Sequence, residues 1–421
     1  MPIIVAGLGF APEHIPSQVK KFLARATLIA AGQSNLELIA RDCGPIAAPC
    51  LVLDKDLAKT FTALWDEHTR DGTALLLASG DPLFFGAAST LRNWLRDTYG
   101  REALHDLHII PNISSLQAMA ARLGLDWSDL PCVSLHGRAD WFPLWQALAQ
   151  AHSSHICLLT DTVHSPAYVA NALIARGCED PLLHIFSHLG SEAEDYACLP
   201  LKKARAYDAA SPNALILERA DTPKQPLVFG RADDSFSSDA GLMTKGPARA
   251  MAIAALRLEA EHTLWDLGAG SGAVGLEAAA LLPRGRIFAV EREAVRAAII
   301  FENRRRCEAW HLEIINAEMP ACLKELPDPD RIFIGGGLYA DNGITPDSCL
   351  AVACARLKPG GRLVANCILQ ASLHAALDYF RQMNWPVETT LLQTAQSQPL
   401  GASEHFAAQN PVFILAAAKP K

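Results

Sequence analysis

The segment whose residue types speak most directly of chemistry is Leu264-Trp265-Asp266-Leu267-Gly268-Ala269-Gly270-Ser271-Gly272. An apolar, strand-like run ends in alternating glycines, and a helical pattern follows from Ala273. Glycines allow a tight turn and let a ligand come close to the backbone. Amides at the following helix start favour an anionic or polar ligand group. Glu291 falls at the end of the next strand-like run, 19 residues after Gly272. A carboxylate there can accept hydrogen bonds from a ribose diol. Gly268, Gly270 and Ala273 satisfy the dinucleotide fingerprint Gly-x-Gly-x-x-Gly/Ala. A tight turn without a ligand is the plain alternative.

Three loops of the first half carry weaker signals. Gly7-Leu8-Gly9 closes the strand-like run Ile3–Ala6, as a plain turn also would. Ser79-Gly80-Asp81-Pro82-Leu83-Phe84-Phe85-Gly86 follows the all-apolar run Thr73–Ala78. Its Asp-Pro pair is a rigid acid at the strand end where open α/β sheets bind ligands, and a helix-capping Asp with Pro at the first helical position explains it equally. Pro111-Asn112-Ile113-Ser114-Ser115 brings hydroxyls and amides to a helix start, which capping alone also explains.

The elements that must hold these loops alternate along the chain. Strand-like runs at Thr27–Ala31, Ile156–Leu159 and Ala214–Leu217 alternate with helical spacing at Pro16–Ala26, Leu57–His68, Ser114–Leu123 and Ala167–Arg176. Residues 220–240 break the pattern with Pro, Asp, Ser and Gly, as a linker does. The alternation then restarts: strands at Thr263–Leu267, Arg286–Val290, Leu312–Ile315, Arg331–Ile334 and Gly361–Cys367, with helices at Lys245–Leu258, Ala273–Leu282, Ala294–Arg306, Pro346–Leu357 and Ser372–Met383. Two last strands, Glu388–Thr394 and Pro411–Ala417, are placed to pair. This predicts an α/β protein of two domains, 1–225 and 226–421.

Composition narrows the function classes. Half of the 421 residues are hydrophobic and 19% are charged, enough for more than one core. The formal net charge is −8; residues 1–225 carry 24 acidic against 18 basic groups, and 226–421 carry 21 against 19. On average neither half offers the basic surface that nucleic acid requires; Arg304-Arg305-Arg306 could meet an anion locally, with a solvated helix face as its plain reading. The 11 cysteines form no Cys-x-x-Cys and read as reduced thiols. Of the 14 histidines, His152 with His155 and His184 with His188 have ligand-like spacing, yet surface or core roles are the expected ones, and no metal site is expected. No run reaches bilayer length, and the N-terminus lacks the basic start of a signal peptide. A cytoplasmic protein without membrane or nucleic-acid partners is expected.

Set against known families, Gly268-Ala269-Gly270-Ser271-Gly272 with Asp266 before it resembles the S-adenosylmethionine loop of Rossmann-like methyltransferases, and Asn316-Ala317-Glu318 stands where these hold the adenine. Residues 3–9, 79–86, 111–129 and 134–138 resemble the tetrapyrrole methylases, in their precorrin C5-methylating branch. Residues 241–249, 263–277, 328–337, 358–366 and the ending Pro399-Leu400-Gly401 with Asn410-Pro411-Val412-Phe413-Ile414 resemble the decarboxylating precorrin C15-methyltransferases. In this order, over nearly the whole chain, they resemble the fused precorrin-6Y C5,15-methyltransferases (decarboxylating). Phe10-Ala11-Pro12 departs from the Pro-Gly usual after the first loop, and Gly337-Leu338-Tyr339-Ala340 departs from a small residue and a further glycine.

The resemblance implies a two-lobed tetrapyrrole methylase fold followed by a Rossmann-like fold, each with one S-adenosylmethionine site. It implies methylation of precorrin-6Y, or its cobalt form, at C5 and C15 with loss of the C12 acetate carboxylate, giving precorrin-8 in cobalamin biosynthesis. The macrocycle's own conjugated imines can serve as electron sink. In the second domain it assigns the donor to Gly268, Gly270, Gly272, Glu291 and Ala317. Thr244 and Lys245 would close over donor or substrate, or simply start a helix with Thr as cap. In the first domain it assigns the donor to Gly9, Asp81, Phe84, Ser114, Ser115 and Ala214. Arg138, Arg249 and Lys245 are candidates for substrate carboxylates, and Asn366 for orienting the reacting acetate. A homo-oligomer is expected by family analogy. The rival readings are a nicotinamide-dependent dehydrogenase using the Gly268–Gly270 loop, a non-catalytic donor-binding scaffold, and a methyltransferase of RNA or protein, the last disfavoured by the missing basic patch.

Overall fold

The computed structural model describes residues 2–54, 56–150, 154–219, 227–336, 338 and 344–421. The chain forms two compact units: Met1–Ala139 with His155–Ile174 and Glu179–Arg219, and Asp140–Ser154 with Ala175–Cys178 and Ala220–Lys421. The expected boundary at 225/226 lies in 220–226, outside the described residues, as do His152 and most of the Gly337–Ala340 departure.

The first unit holds two sheets. Strands β1 (Ile3–Gly7), β2 (Leu28–Ala31), β3 (Cys50–Val52), β4 (Ala74–Ala78) and β5 (Leu107–Ile110) form a parallel sheet in the order β3-β2-β4-β1-β5. β1 and β4 are buried throughout, because helices cover both faces. Successive side chains of a strand point to opposite faces, so Ile4 and Ala6 join one core with Val19 and Ile39, and Ile3 and Val5 join the other with Phe61, Leu64 and Leu91. The helices are α1 (Ser17–Leu23), α2 (Gln33–Asp42), α3 (Leu57–Thr69) and α4 (Ala87–Tyr99).

The second sheet comprises β6 (Cys132–Ser134), β7 (His155–Leu159), β8 (Leu182–Ser187), β9 (Asp195–Pro200) and β10 (Asn213–Glu218), ordered β6-β7-β10-β8-β9, with only the β6–β7 pair parallel. α5 (Ser115–Leu123) packs Leu116 and Met119 against Cys157, Phe186, Ala214 and Ile216 of this sheet. Helices α7 (Pro166–Arg176) and α8 (Leu201–Ala204) connect these strands, while α6 (Phe142–Ala149), between β6 and β7 in the chain, is counted with the second unit.

The second unit is built on seven strands: β11 (Thr263–Leu267), β12 (Arg286–Glu291), β13 (Leu312–Asn316), β14 (Arg331–Ile334), β15 (Arg362–Cys367), β16 (Val387–Leu392) and, after β17 (Ala395–Leu400) and β18 (Ser403–Ala408), β19 (Val412–Ala418). Their order is β13-β12-β11-β14-β15-β19-β16, with β19 antiparallel to both neighbours. The helices are α9 (Gly246–Leu256), α10 (Ala273–Ala279), α11 (Ala294–Cys307), α12 (Cys349–Arg356) and α13 (Gln370–Gln382). Strand order reverses between β11 and β14, which opens a crevice at their C-terminal ends. The glycine loop starts there.

The expected pair of last strands is present as β16 with β19. Between them β17 and β18 form a separate hairpin, exposed at nearly every residue. No hydrophobic alternation announces it. No helix among the described residues is long and apolar enough to cross a membrane.

Candidate active site

A cavity of about 910 Å³ opens on the crevice of the second unit. Gly268, Ala269, Gly270 and Ser271 line it, and so do Glu291, Thr244, Lys245 and Asn366. Gly268 has φ +66°, and a Cβ there would lie 2.9 Å from the backbone N and O of Gly336. The chain leaving β11 therefore touches the chain leaving β14, which only glycine permits. A Cβ on Gly270 would meet no atom within 4 Å, so this side of the loop is open to a ligand. Gly272 differs from its expected role. It is absent from the lining, it caps α10, and its missing Cβ would press on Ile300 at 2.9 Å. It seats the loop on α11.

Glu291 ends β12 and is nearly buried. Its Oε2 accepts from the amide of Gly270 at 2.9 Å and its Oε1 from Glu293 at 3.1 Å. The carboxylate is thereby fixed at the loop, with lone pairs to spare for a diol. Asn316 ties the end of β13 to this point by donating to the carbonyls of Glu291 and Arg292. Ala317 is not in the lining, whereas its neighbours Glu318 and Met319 are.

Asp266, two residues before Gly268, is 1% exposed. Its Oδ2 accepts from Gly275 at 2.8 Å, and its Oδ1 is buried without a partner. Burial, with the nearby charge of Glu291 added and the Gly275 bond opposing, pushes its carboxyl up to about 7. An unfolded Asp titrates near ~4. Between these values the folded state holds a proton that the unfolded state has lost, so stability falls as pH rises from ~4 to 7. Asp266→Asn is expected to flatten this slope. Denaturant unfolding at pH 5 and pH 8 should show the wild type losing on the order of 2–3 kcal/mol more than the variant.

Lys245, not Thr244, caps α9, and no side chain bonds that helix start. The Thr-cap alternative does not describe it. Lys245 is exposed on the cavity and has no ion pair among the described residues, whereas Arg292 pairs with Glu293 and Arg296 with Asp239. Arg249 corrects another expectation. It is 0% exposed and bonded to Glu277, Asp233 and the carbonyls of Thr244 and Arg231. Turned inward by these partners, it is a structural cation and leaves nothing for a substrate carboxylate.

The sequence reading gives no site role to the polar lining residues Thr394, Gln409 and Asn410, at the base of the exposed hairpin; Thr394 enters it only as a strand end and Asn410 only within the ending that resembles the family. Thr394 Oγ1 donates to Gln409 Oε1 at 2.8 Å. Polar residues in a segment without periodicity gave no signal.

In the first unit three strand ends are knotted together. Gly9 and Gly80 form an isolated bridge between the loops after β1 and β4. Asp81 Oδ1 accepts from Leu83 and Phe84, and its Oδ2 from the amide of Asn112 after β5. The helix after this loop, α4, is capped by Gly86, so Asp81 is not its cap. Nor are its oxygens unengaged: they brace the loops that would hold a donor. Ser114 is absorbed by a capping box with Gln117, bonded reciprocally through side chains and backbone, and is 5% exposed. A direct donor contact for it is not supported; Ser115, half-buried beside it, starts α5. Phe84 packs against the core cluster to which Ala214 belongs.

Arg138 is exposed, its guanidinium 5.7 Å from the Phe85 ring. Its loop is held by Asp161, which accepts from the amides of Gly137, Val163 and His164. Burial opposes ionisation of Asp161, but these donors and the His164 ring hold its carboxyl well below the usual range. His184 lies between Tyr196 and Glu218 as a satisfied core histidine. No group of three or more metal-ligating side chains occurs among the described residues.

Comparison with known proteins gives each half a family. Residues 2–204 match the tetrapyrrole (corrin/porphyrin) methylases, and residues 234–419 match the precorrin methyltransferase domain. The precorrin-6Y C(5,15)-methyltransferase (decarboxylating) of a Sinorhizobium species is 30% identical over 421 residues, covering 97% of this chain and 92% of that protein. The chain belongs to the precorrin-6Y C5,15-methyltransferase (decarboxylating) family. A Mycobacterium tuberculosis protein of the same name is 27% identical over 81% of this chain and 82% of its own. The cobalt-precorrin-6B C(15)-methyltransferase (decarboxylating) of Salmonella typhimurium is 35% identical over 178 residues, 42% of this chain and 89% of that protein. In this precorrin-6Y C5,15-methyltransferase family member the cavity, its glycine loop and Asn366 all fall within the second match, and Ala214 falls just beyond the first.

Proposed function

We propose that this chain methylates precorrin-6Y, or its cobalt form, at C5 and C15 and removes the carboxylate of one acetate side chain, in cobalamin biosynthesis. The observation that carries this is the full-length match to a bifunctional relative together with a loop-lined cavity in the second unit. C5 methylation belongs to the first unit; C15 methylation and decarboxylation belong to the second. Each unit would take one S-adenosylmethionine, which supplies an electrophilic methyl group when bound.

The residues present suit that donor. The open side of Gly270 admits a ligand to the backbone, and Glu291 offers a fixed acceptor for a ribose diol. The chain's task is then positioning rather than strong base catalysis, in keeping with apolar walls from Val274, Phe333 and Leu392. Lys245, unpaired among the described residues, would anchor a carboxylate of the substrate without touching the reacting carbon. Glu291→Ala is expected to weaken donor binding to the second unit about 10–100-fold, from the loss of charged hydrogen bonds; calorimetric titration reads it directly.

The enzyme would act in the cytoplasm as a homo-oligomer. An isolated two-stranded hairpin is marginal in water, and β17–β18 exposes Leu400 and Phe406, the latter 78% exposed. A second copy covering it would remove both problems.

Residues 1–225 and 226–421 expressed separately test the division of labour. The first should give C5 methylation only, the second C15 methylation with loss of carbon dioxide. C15 methylation by the first half would refute the assignment.

A further inference from the structure

We propose that Asn366 is the catalytic residue of decarboxylation, its neutral carboxamide gripping the carboxylate that leaves. This rests on the reading that the second unit is the decarboxylating one. Asn366 stands at the C-terminal end of β15, on the crevice side of the sheet, and lines the cavity. Its Oδ1 is buried with no hydrogen-bond partner, and no bond holds the other end of the carboxamide among the described residues. Buried polar side-chain atoms are nearly always satisfied, so a carboxamide that lines a cavity with neither end engaged is one whose partner is a ligand. Its oxygen is an acceptor and cannot meet a carboxylate; its N–H2, unbonded among the described residues, is the end that donates to one.

The surroundings suit a carboxylate that must lose its charge. Ile368, Leu392, Val412 and Met319 line the same cavity and are apolar. Cys349, also in the lining, has its thiol pushed up to about 12 by burial and stays neutral. A cation on the leaving group would stabilise the charged ground state more than the transition state, where that charge is dispersing. A neutral amide orients the group without doing so, and apolar walls disfavour the charge further. The cation Lys245 is then left for a carboxylate that does not react.

The step balances without an added reagent. The bond between the acetate methylene and its carboxylate breaks, and the electron pair enters the conjugated macrocycle. Carbon dioxide leaves, and the methylene carbon takes a proton from water, so R–CH2–COO⁻ and H⁺ become R–CH3 and CO2. Asn366 holds the breaking bond across the plane of the conjugated system, the alignment that lets the pair enter it.

The test uses the full chain with precorrin-6Y and methyl donor, products read by mass spectrometry. Asn366→Ala should keep donor affinity and C15 methylation, while decarboxylated product falls at least tenfold and the methylated acid accumulates. Asn366→Asp, nearly the same size but charged against a carboxylate, should fall further; it decides the matter if the alanine variant folds poorly. Wild-type decarboxylation by Asn366→Ala would overturn the proposal, as would methylation and decarboxylation declining in step. A wild-type chain that never decarboxylates would instead overturn the underlying reading, and the proposal with it.

Discussion

Gly268→Val is expected to abolish C15 methylation and decarboxylation while leaving C5 methylation in place. A Cβ at this position would lie 2.9 Å from Gly336 N and O and 3.0 Å from its Cα, all of them backbone. No side chain can swing away to make room. The φ of +66° is one that a β-branched residue rarely adopts. Strain of about 1–3 kcal/mol adds to the clash, and the loop can relieve it only by separating the ends of β11 and β14. That movement drags the amide of Gly270 off the Glu291 carboxylate and spoils the open face where the donor would lie. Donor affinity of the second unit should fall about 100-fold or more, a difference of roughly 3 kcal/mol. Titration with S-adenosylmethionine should then count one site per chain instead of two, and the product should carry a single new methyl group. Two sites at unchanged affinity would show that the loop does not hold the donor.

Arg249→Ala should cost more stability than any other single exchange around the cavity. The guanidinium is wholly buried; its Nε meets Glu277 Oε1 at 2.6 Å and its Nη1 meets Asp233 Oδ1 at 3.0 Å. It also donates to the carbonyls of Thr244 and Arg231 and lies 5.1 Å from the Phe236 ring. Glu277 is itself 1% exposed, with its other oxygen on the amide of Gly230. Deleting the cation strands this carboxylate in the interior, a loss of about 3–5 kcal/mol for a broken buried pair. Glu277→Gln in the same chain removes the stranded charge and should restore part of it. Because Arg249 also holds the Thr244 carbonyl, KM for the macrocycle should rise as the Thr244-Lys245 segment loosens. Denaturant unfolding of the single and double variants checks the order. An Arg249→Ala chain of unchanged stability that fails only in substrate binding would return this residue to the substrate site.

What the sequence made legible follows from how local each signal is. β11 and β14 occupy the residues their apolar patterns mark, because a strand buried on both faces reads as a mostly apolar run, interrupted in β11 only by Thr263 and the buried Asp266. The glycine loop and Glu291 were legible for a related reason: turn, helix start and next strand end lie within one short stretch. Arg249 was not. A cation beside a motif looks the same whether it faces a cavity or turns inward, and its partners Asp233 and Glu277 are 16 and 28 residues away. Asp81 and Ser114 show the same limit, since the turn-forming residues that suggest a donor site also brace one. The β17–β18 hairpin carries no hydrophobic alternation, because it buries almost nothing within the chain. α4 did carry a pattern, Ala88, Leu91 and Leu95 at helical spacing, but the long loop before it hides its start.

The central claim is that one chain performs two methylations and a decarboxylation on one macrocycle. The direct measurement is mass spectrometry of precorrin-6Y after incubation with the full chain and methyl-labelled S-adenosylmethionine. Gain of two labelled methyl groups with loss of one carbon dioxide is the expected result; an unchanged mass, or reduction by a nicotinamide cofactor in its place, would contradict it.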